Sequence, residues 1–193
     1  GPHNCLYGLL VEQKDLVKKS DSQEESFDVK HYRANPSEYE SIFASNVAPV
    51  CNVIMNGIYW DERYPRLLTK ADMTALYNQG HKSLFAVGDI SCDVNGSIEF
   101  LEHTTTIDKP FFSWNPLTNT EADEITEDSV AVMGVDILPT ELSVESSKHF
   151  GNALMPLLKQ LIDEKLPPEL VNACIARDGR LTPNFEYIEA LMK

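Results

Sequence analysis

Short apolar runs recur along the chain, separated by polar loops and by stretches of helical periodicity. Residues 5–11, Cys-Leu-Tyr-Gly-Leu-Leu-Val, form the first run and predict a strand. Residues 18–29 are polar and charged and predict a surface loop. Asn35-Pro36-Ser37-Glu38 predicts a helix start: Asn caps well, Pro suits the first helical position, and Glu sits at the third. Tyr39, Ile42 and Phe43 follow at helical spacing. Residues 50–55 predict a buried strand, running into Asn56-Gly57-Ile58-Tyr59-Trp60 and the charged Asp61-Glu62-Arg63. Thr69 predicts the cap of a second helix, with Asp72 three residues on and Gly80 as its stop. Residues 84–90 predict another buried strand, 97–107 an extended arm, 116–128 an acidic loop and 130–137 a third strand.

The remainder is helical in pattern. Ser143 is placed to cap a helix whose Val144, Phe150, Leu154, Leu157, Leu158, Leu161 and Ile162 form one apolar stripe. Pro156 lies inside it and predicts a lost hydrogen bond and a kink. Pro167-Pro168 ends that element, and Pro168 begins a further helix over 168–176. Buried strands alternating with helices predict an α/β fold with a parallel sheet. Chemistry in such folds gathers outside the carboxyl ends of the strands.

Three strand ends therefore hold the candidate residues. Asp89-Ile90-Ser91-Cys92-Asp93 places two carboxylates four residues apart, at and just past the end of a strand. Such carboxylates suit a cofactor ribose or amide, or the orientation of a proton-transfer group; the competing reading is a solvated turn bonded to local backbone. At Asn56–Trp60, Gly57 allows close approach of a ligand and Arg66 suits a phosphate or carboxylate; otherwise this is a packed aromatic corner with a surface arginine. Asp136-Ile137-Leu138-Pro139 ends the third strand, and by pattern alone a plain strand-to-helix turn is the favoured reading. His103 and His149 read as structural histidines, and the run at 121–128 as solvated acid without metal-ligand spacing, so no metal site is expected.

Composition narrows the partners. A formal net charge of -14 opposes phosphate backbones and anionic membranes, so neither nucleic acid nor a membrane is expected. No apolar run approaches the roughly 20 residues that span a bilayer. The four cysteines are scattered without a C-x-x-C pair, which predicts reduced, mostly buried thiols in cytosol or mitochondrial matrix. Gly1-Pro2 reads as a protease scar left by recombinant expression, with any targeting segment missing. No G-x-G-x-x-G, P-loop or G-x-S-x-G occurs.

In series, these segments carry a resemblance. Asn56–Trp60, Pro65-Arg66-Leu67-Leu68, Asp89–Asp93 with Gly96-Ser97-Ile98-Glu99-Phe100, Thr104–Asp108 with Pro110-Phe111, Asp136–Leu142 and His149-Phe150-Gly151 resemble, in the same order, lysine-ketoglutarate reductase/saccharopine dehydrogenase. This is the aminoadipic semialdehyde synthase family, and the similarity falls in its reductase half. The layout is more distantly similar to alanine dehydrogenase and fungal saccharopine dehydrogenase.

The resemblance implies the later half of a Rossmann-type cofactor domain over 1–142, then a helical return segment over 143–193 toward a substrate domain upstream in the same polypeptide. It implies NADPH-dependent formation of saccharopine from lysine and 2-oxoglutarate, in a homo-oligomer of the mitochondrial matrix or, for plant-like members, the cytosol. It makes Asp93 the catalytic candidate beside the nicotinamide. Asn56, Gly57, Ile58, Tyr59, Arg66, Leu67, Asp89, Ile90, Asp136, Ile137, Leu138 and Pro139 become the cofactor-binding candidates. Relatives often carry Asn or His where this chain has Ile137, which leaves only a backbone contact there. The family's catalytic lysine and histidine have no counterpart in these residues, so the chain alone is expected not to turn over substrate. The competing reading is a non-catalytic α/β module that binds a small molecule or a partner.

Overall fold

The computed structural model describes residues 5–21, 27–122 and 124–191. Gly1-Pro2 and part of the polar 18–29 segment lie outside the described residues. The chain divides into two compact units between Ile137 and Leu138.

The first unit opens with α1 (Gln13–Leu16), β1 (Val17–Lys19), α2 (Val29–Ala34), β2 (Tyr39–Ser41) and α3 (Phe43–Asn46). The strand expected over 5–11 is not formed. Residues 5–10 have no regular structure and Leu6, Tyr7, Leu9 and Leu10 are exposed. An apolar run becomes a strand only where a neighbour takes its backbone bonds, and no described strand pairs with it. The helix expected from Asn35 is also absent. Pro36–Glu38 makes one 3₁₀ turn and Tyr39 enters β2, which pairs antiparallel with β1. Asn35 makes no cap bond; its Nδ2 donates to the His31 carbonyl at 3.4 Å. Burial decides this: Tyr39 packs edge-on against Tyr32 and Phe27 in a small core that includes Val17.

The main sheet is built from β3 (Val53–Asn56), β4 (Ala86–Asp89), β5 (Phe111–Asn115), β6 (Thr120–Ala122) and β7 (Val130–Met133), in the order β3-β4-β7-β5-β6. β3, β4 and β7 are parallel; α4 (Lys70–Asn78) forms the β3–β4 crossover, while an irregular arm and the β5–β6 hairpin connect β4 to β7. β5 runs antiparallel to β7 and to β6, so a hairpin extends the parallel core. The strand over 111–115 was not legible in the sequence, and β6 lies within the expected 116–128 loop. The expected arm over 97–107 is irregular, touching the sheet region through isolated bridges at Leu68↔Ile98 and Thr105↔Val135.

Register sorts the side chains by face. Ile54, Val87, Val132 and Phe112 are cross-strand neighbours on the core side, with Trp114 and Val130 in the next row. Helix α4 (Lys70–Asn78) contributes Met73, Leu76 and Tyr77 to the same core. Its ends match expectation. Thr69 and Asp72 form a reciprocal capping box, and Gly80 takes the left-handed turn at φ +83. Trp114 stacks on Phe100 at 4.5 Å.

The second unit contains a 3₁₀ turn (Leu138–Leu142), α5 (Ser143–Ile162), α6 (Pro168–Ala173), β8 (Ala176–Arg177), β9 (Arg180–Leu181) and α7 (Ile188–Leu191). Leu142, not Ser143, holds the cap position of α5, without a side-chain cap bond. Pro156 sits inside the helix as read. Helix α6 ends at Ala173, short of 176, because Ala176 pairs with Leu181 in a two-stranded ribbon. No side chain of α5 is buried. No helix among the described residues is long and apolar enough to cross a membrane.

Candidate functional site

The carboxyl ends of β3 and β4 carry Asn56 and Asp89, directly paired in the parallel register. Both side chains are buried, Asp89 completely. Asn56 Nδ2 donates to Asp89 Oδ1 at 2.9 Å and to Ser97 Oγ at 2.8 Å. Asp89 Oδ1 also accepts from the backbone N–H groups of Ser91 (3.1 Å) and Cys92 (3.3 Å), while Oδ2 is buried with no partner among the described residues. Burial pushes the Asp89 carboxyl above its ordinary range, and the bonds from Cys92, Asn56 and Ser91 oppose that shift. Asp89 and Asn56 therefore brace the turn instead of facing solvent.

The turn itself is strained at two residues: Cys92 and Asn95 have φ of 57 and 52. Ser91 Oγ donates to the Ile58 carbonyl at 2.8 Å, and Ile90 N–H donates to the Asn56 carbonyl at 2.7 Å, so the β3 and β4 loops are tied together. Cys92 Sγ bonds the Gly134 carbonyl at 2.9 Å, which brings in the end of β7. A Cβ on Gly134 would meet Leu101 Cδ1 at 2.5 Å, so this strand end is glycine for close packing. Burial raises the Cys92 thiol, with the negative charges of Asp136, Asp89 and Asp93 adding to the rise.

Asp93 and Asp136 are exposed. So are Tyr59 (81%), Ile90 (45%), Val94 (47%) and Ile137 (62%), large apolar side chains around the strand ends. Ile137 has φ 56, unusual for a β-branched residue. Gly57 is exposed and a Cβ would meet nothing within 4 Å, so neither sterics nor the backbone demands glycine there. Arg66 lies over the Trp60 ring, 4.7 Å from its centroid, and donates Nη1 to the carbonyls of Asn95 and Gly96. It clamps the β4 loop from the β3 side. Leu67 is core, and its N–H bonds the Ser97 carbonyl at 2.9 Å. Leu138 and Pro139 belong to the second unit, in its 3₁₀ turn.

Ser97, Cys92, Gly134 and Thr105 are supports that the sequence reading did not single out. Thr105 Oγ1 accepts from Gly134 N–H and donates to the Pro110 carbonyl. The available signal was small or hydroxyl residues inside apolar stretches, as in Gly96-Ser97-Ile98 and Met133-Gly134-Val135. The thiols differ from expectation: Cys5 is exposed and Cys51, Cys92 and Cys174 are half-buried, all unpaired. His103 bridges the Thr104 carbonyl and the Glu121 carboxylate at the surface. No group of three or more potential metal ligands occurs among the described residues.

No family model matches the chain. It is 38% identical over 192 residues, 97% of its length, to alpha-aminoadipic semialdehyde synthase of Arabidopsis thaliana. It is 32% identical over 96% of its length to the mitochondrial alpha-aminoadipic semialdehyde synthase of Bos taurus. A weaker match, 31% over 125 residues and 63% of the chain, is to saccharopine dehydrogenase [NAD(+), L-lysine-forming] of Schizosaccharomyces pombe. The chain spans 18% of the plant protein's length and 22% of the bovine protein's. By sequence the chain thus belongs to the alpha-aminoadipic semialdehyde synthase family, as the homologue of a segment making up about a fifth of those proteins.

Proposed function

We propose that this chain is the cofactor-side segment of a reductase that joins lysine to 2-oxoglutarate and reduces the imine with NADPH, forming saccharopine in lysine degradation. What supports the reading is one convergence. The loops after three adjacent parallel strands are tied together at Asn56, Asp89 and Cys92, and they carry exposed apolar and acidic side chains in a chain related to aminoadipic semialdehyde synthases.

The donor set fits a nicotinamide dinucleotide. Tyr59, Ile90, Val94 and Ile137 offer exposed apolar surface for a flat ring. Backbone at Gly57–Tyr59 and at Asp136 offers amides and carbonyls to the ribose and carboxamide. A nicotinamide held there supplies a hydride to the substrate imine. Asp93 carries the exposed carboxylate of the braced turn and would orient the carboxamide or the cationic imine nitrogen. Asn56, Asp89 and Arg66 act on the turn and hold Asp93 in place. On this reading the segment works within a larger polypeptide, with a substrate domain that completes the site, and the isolated chain does not turn over. The mammalian relatives' names place those proteins in mitochondria, which supports a matrix location.

The test is lysine- and 2-oxoglutarate-dependent oxidation of NADPH, with NADH in parallel, by the full-length polypeptide. Asp93→Ala should lower kcat/KM by about 100-fold or more. An unaffected variant would reduce Asp93 to a structural turn, and absence of lysine-dependent oxidation would contradict the reading as a whole.

A further inference from the structure

A cavity of about 320 Å³ opens in the first unit, between the small aromatic core and the loop that leaves β3. That volume falls at the lower end of small-molecule sites. Its walls include Tyr32, Trp60 and Tyr64, three flat rings, with Tyr32 and Tyr64 edge-on at 5.4 Å. Arg33 and Arg66 line it as well, and no Asp or Glu among the described residues does. In a chain of net charge -14, a concavity lined by two arginines and by no described carboxylate suits an anion.

The lining groups have spare bonding capacity. Arg33 stands at the cavity wall, and its guanidinium has no hydrogen-bond or ion-pair partner among the described residues. Arg66 spends only Nη1 on the carbonyls of Asn95 and Gly96, and its stacking on Trp60 fixes the guanidinium plane. Tyr32 is 8% exposed, and its hydroxyl, with no hydrogen-bond partner among the described residues, is available to a ligand in the cavity.

We propose that this cavity binds a small ligand with a flat unsaturated body and an anionic end. The body stacks among Trp60, Tyr64 and Tyr32; the anion meets Arg33 and the free edge of Arg66, whose fork matches a carboxylate or a phosphate. The cavity shares Ile58 and Tyr59 with the proposed cofactor surface, but its binding test needs neither a hydride transfer nor an upstream domain.

Tryptophan emission reports on it directly. The chain has two tryptophans: Trp114 is fully buried against Phe100, and Trp60 lines the cavity. The 193-residue chain is titrated with adenosine monophosphate and with 4-hydroxybenzoate, to separate a phosphate from a carboxylate source. Adenosine and phenol serve as uncharged counterparts. Saturable quenching by one of the anions, with Kd below about 1 mM and none by its uncharged counterpart, is the expected result. Arg33→Gln, an exposed position, should weaken it at least about tenfold, roughly the loss of one charge-assisted bond, with an unchanged thermal melt. Lys82→Gln, outside the lining, should leave it unaltered. Failure of both anions to saturate, equal binding of the uncharged compounds, or wild-type affinity in Arg33→Gln would each overturn the proposal.

Discussion

The two units use apolar residues in opposite ways. Up to Ile137, one face of the sheet is closed: Trp114, Val130 and Val132, with Leu68, Ile98, Phe100 and Leu101 from the connecting segments, are fully buried. From Leu138 onward the longest helix has an ordered apolar stripe and no buried side chain; Phe150, Leu161 and Ile162 are 66%, 50% and 79% exposed. Periodicity therefore identified α5 correctly without indicating that its stripe would be packed. A stripe records what a helix is suited to cover, and burial depends on what is brought against it.

Stability should divide along the same line. Leu68→Ala empties a fully buried site and should cost about 2–5 kcal/mol in chemical denaturation. Leu161→Ala, on the exposed stripe of α5, should cost less than about 1 kcal/mol. A comparable loss from both would break the comparison and reveal a partner for the stripe.

A smaller effect sharpens the contrast within the first unit. Asp89→Ala leaves Asn56 Nδ2 and the amides of Ser91 and Cys92 without their common acceptor and should cost about 1–3 kcal/mol. Its pH dependence has a defined sign. Burial raises the folded-state carboxyl above its unfolded value of about 3.9, so the folded state holds the proton longer. Asp89's contribution is therefore fullest below the unfolded value and declines as pH rises through the raised folded value. Asp61, partly exposed and bonded to Arg63, is shifted the other way, and its contribution is lost as pH falls. The stability gap between wild type and Asp89→Ala, followed by urea midpoints over about pH 4 to 7, should narrow with rising pH. A gap that widens would mean that the carboxylate's bonds outweigh its desolvation.

The legible parts of the fold were local. Thr69, Asp72 and Gly80 specify their helix by chemistry within one turn of each end, and the structure has it. The parallel strands were legible because each is a short apolar run bounded by polar residues. The misses were non-local. Tyr39 left the expected helix because Tyr32, Phe27 and a strand partner offered more burial. The β5–β6 hairpin escaped because its turn rests on Asn115 accepting from Leu117 and Thr118 and on Asn119 at φ 56, which no Asn-Gly pair announces. Within the site, the candidate residues separated into two kinds. Asn56, Asp89, Arg66 and Leu67 turn inward as supports, while Asp93, Tyr59, Ile90 and Ile137 remain at the surface. Residue type alone could not make that division, because a strand-end aspartate serves either purpose until its burial is known.

The central claim is that the loops after β3, β4 and β7 form one dinucleotide surface. Amide hydrogen exchange on the full-length polypeptide, with and without NADPH, tests it most directly. The account predicts slowed exchange confined, within this chain, to residues 56–60, 89–96 and 135–137, and weakened by Asp93→Ala. Unchanged exchange in all three loops, with the cofactor bound and protection found elsewhere, would contradict it.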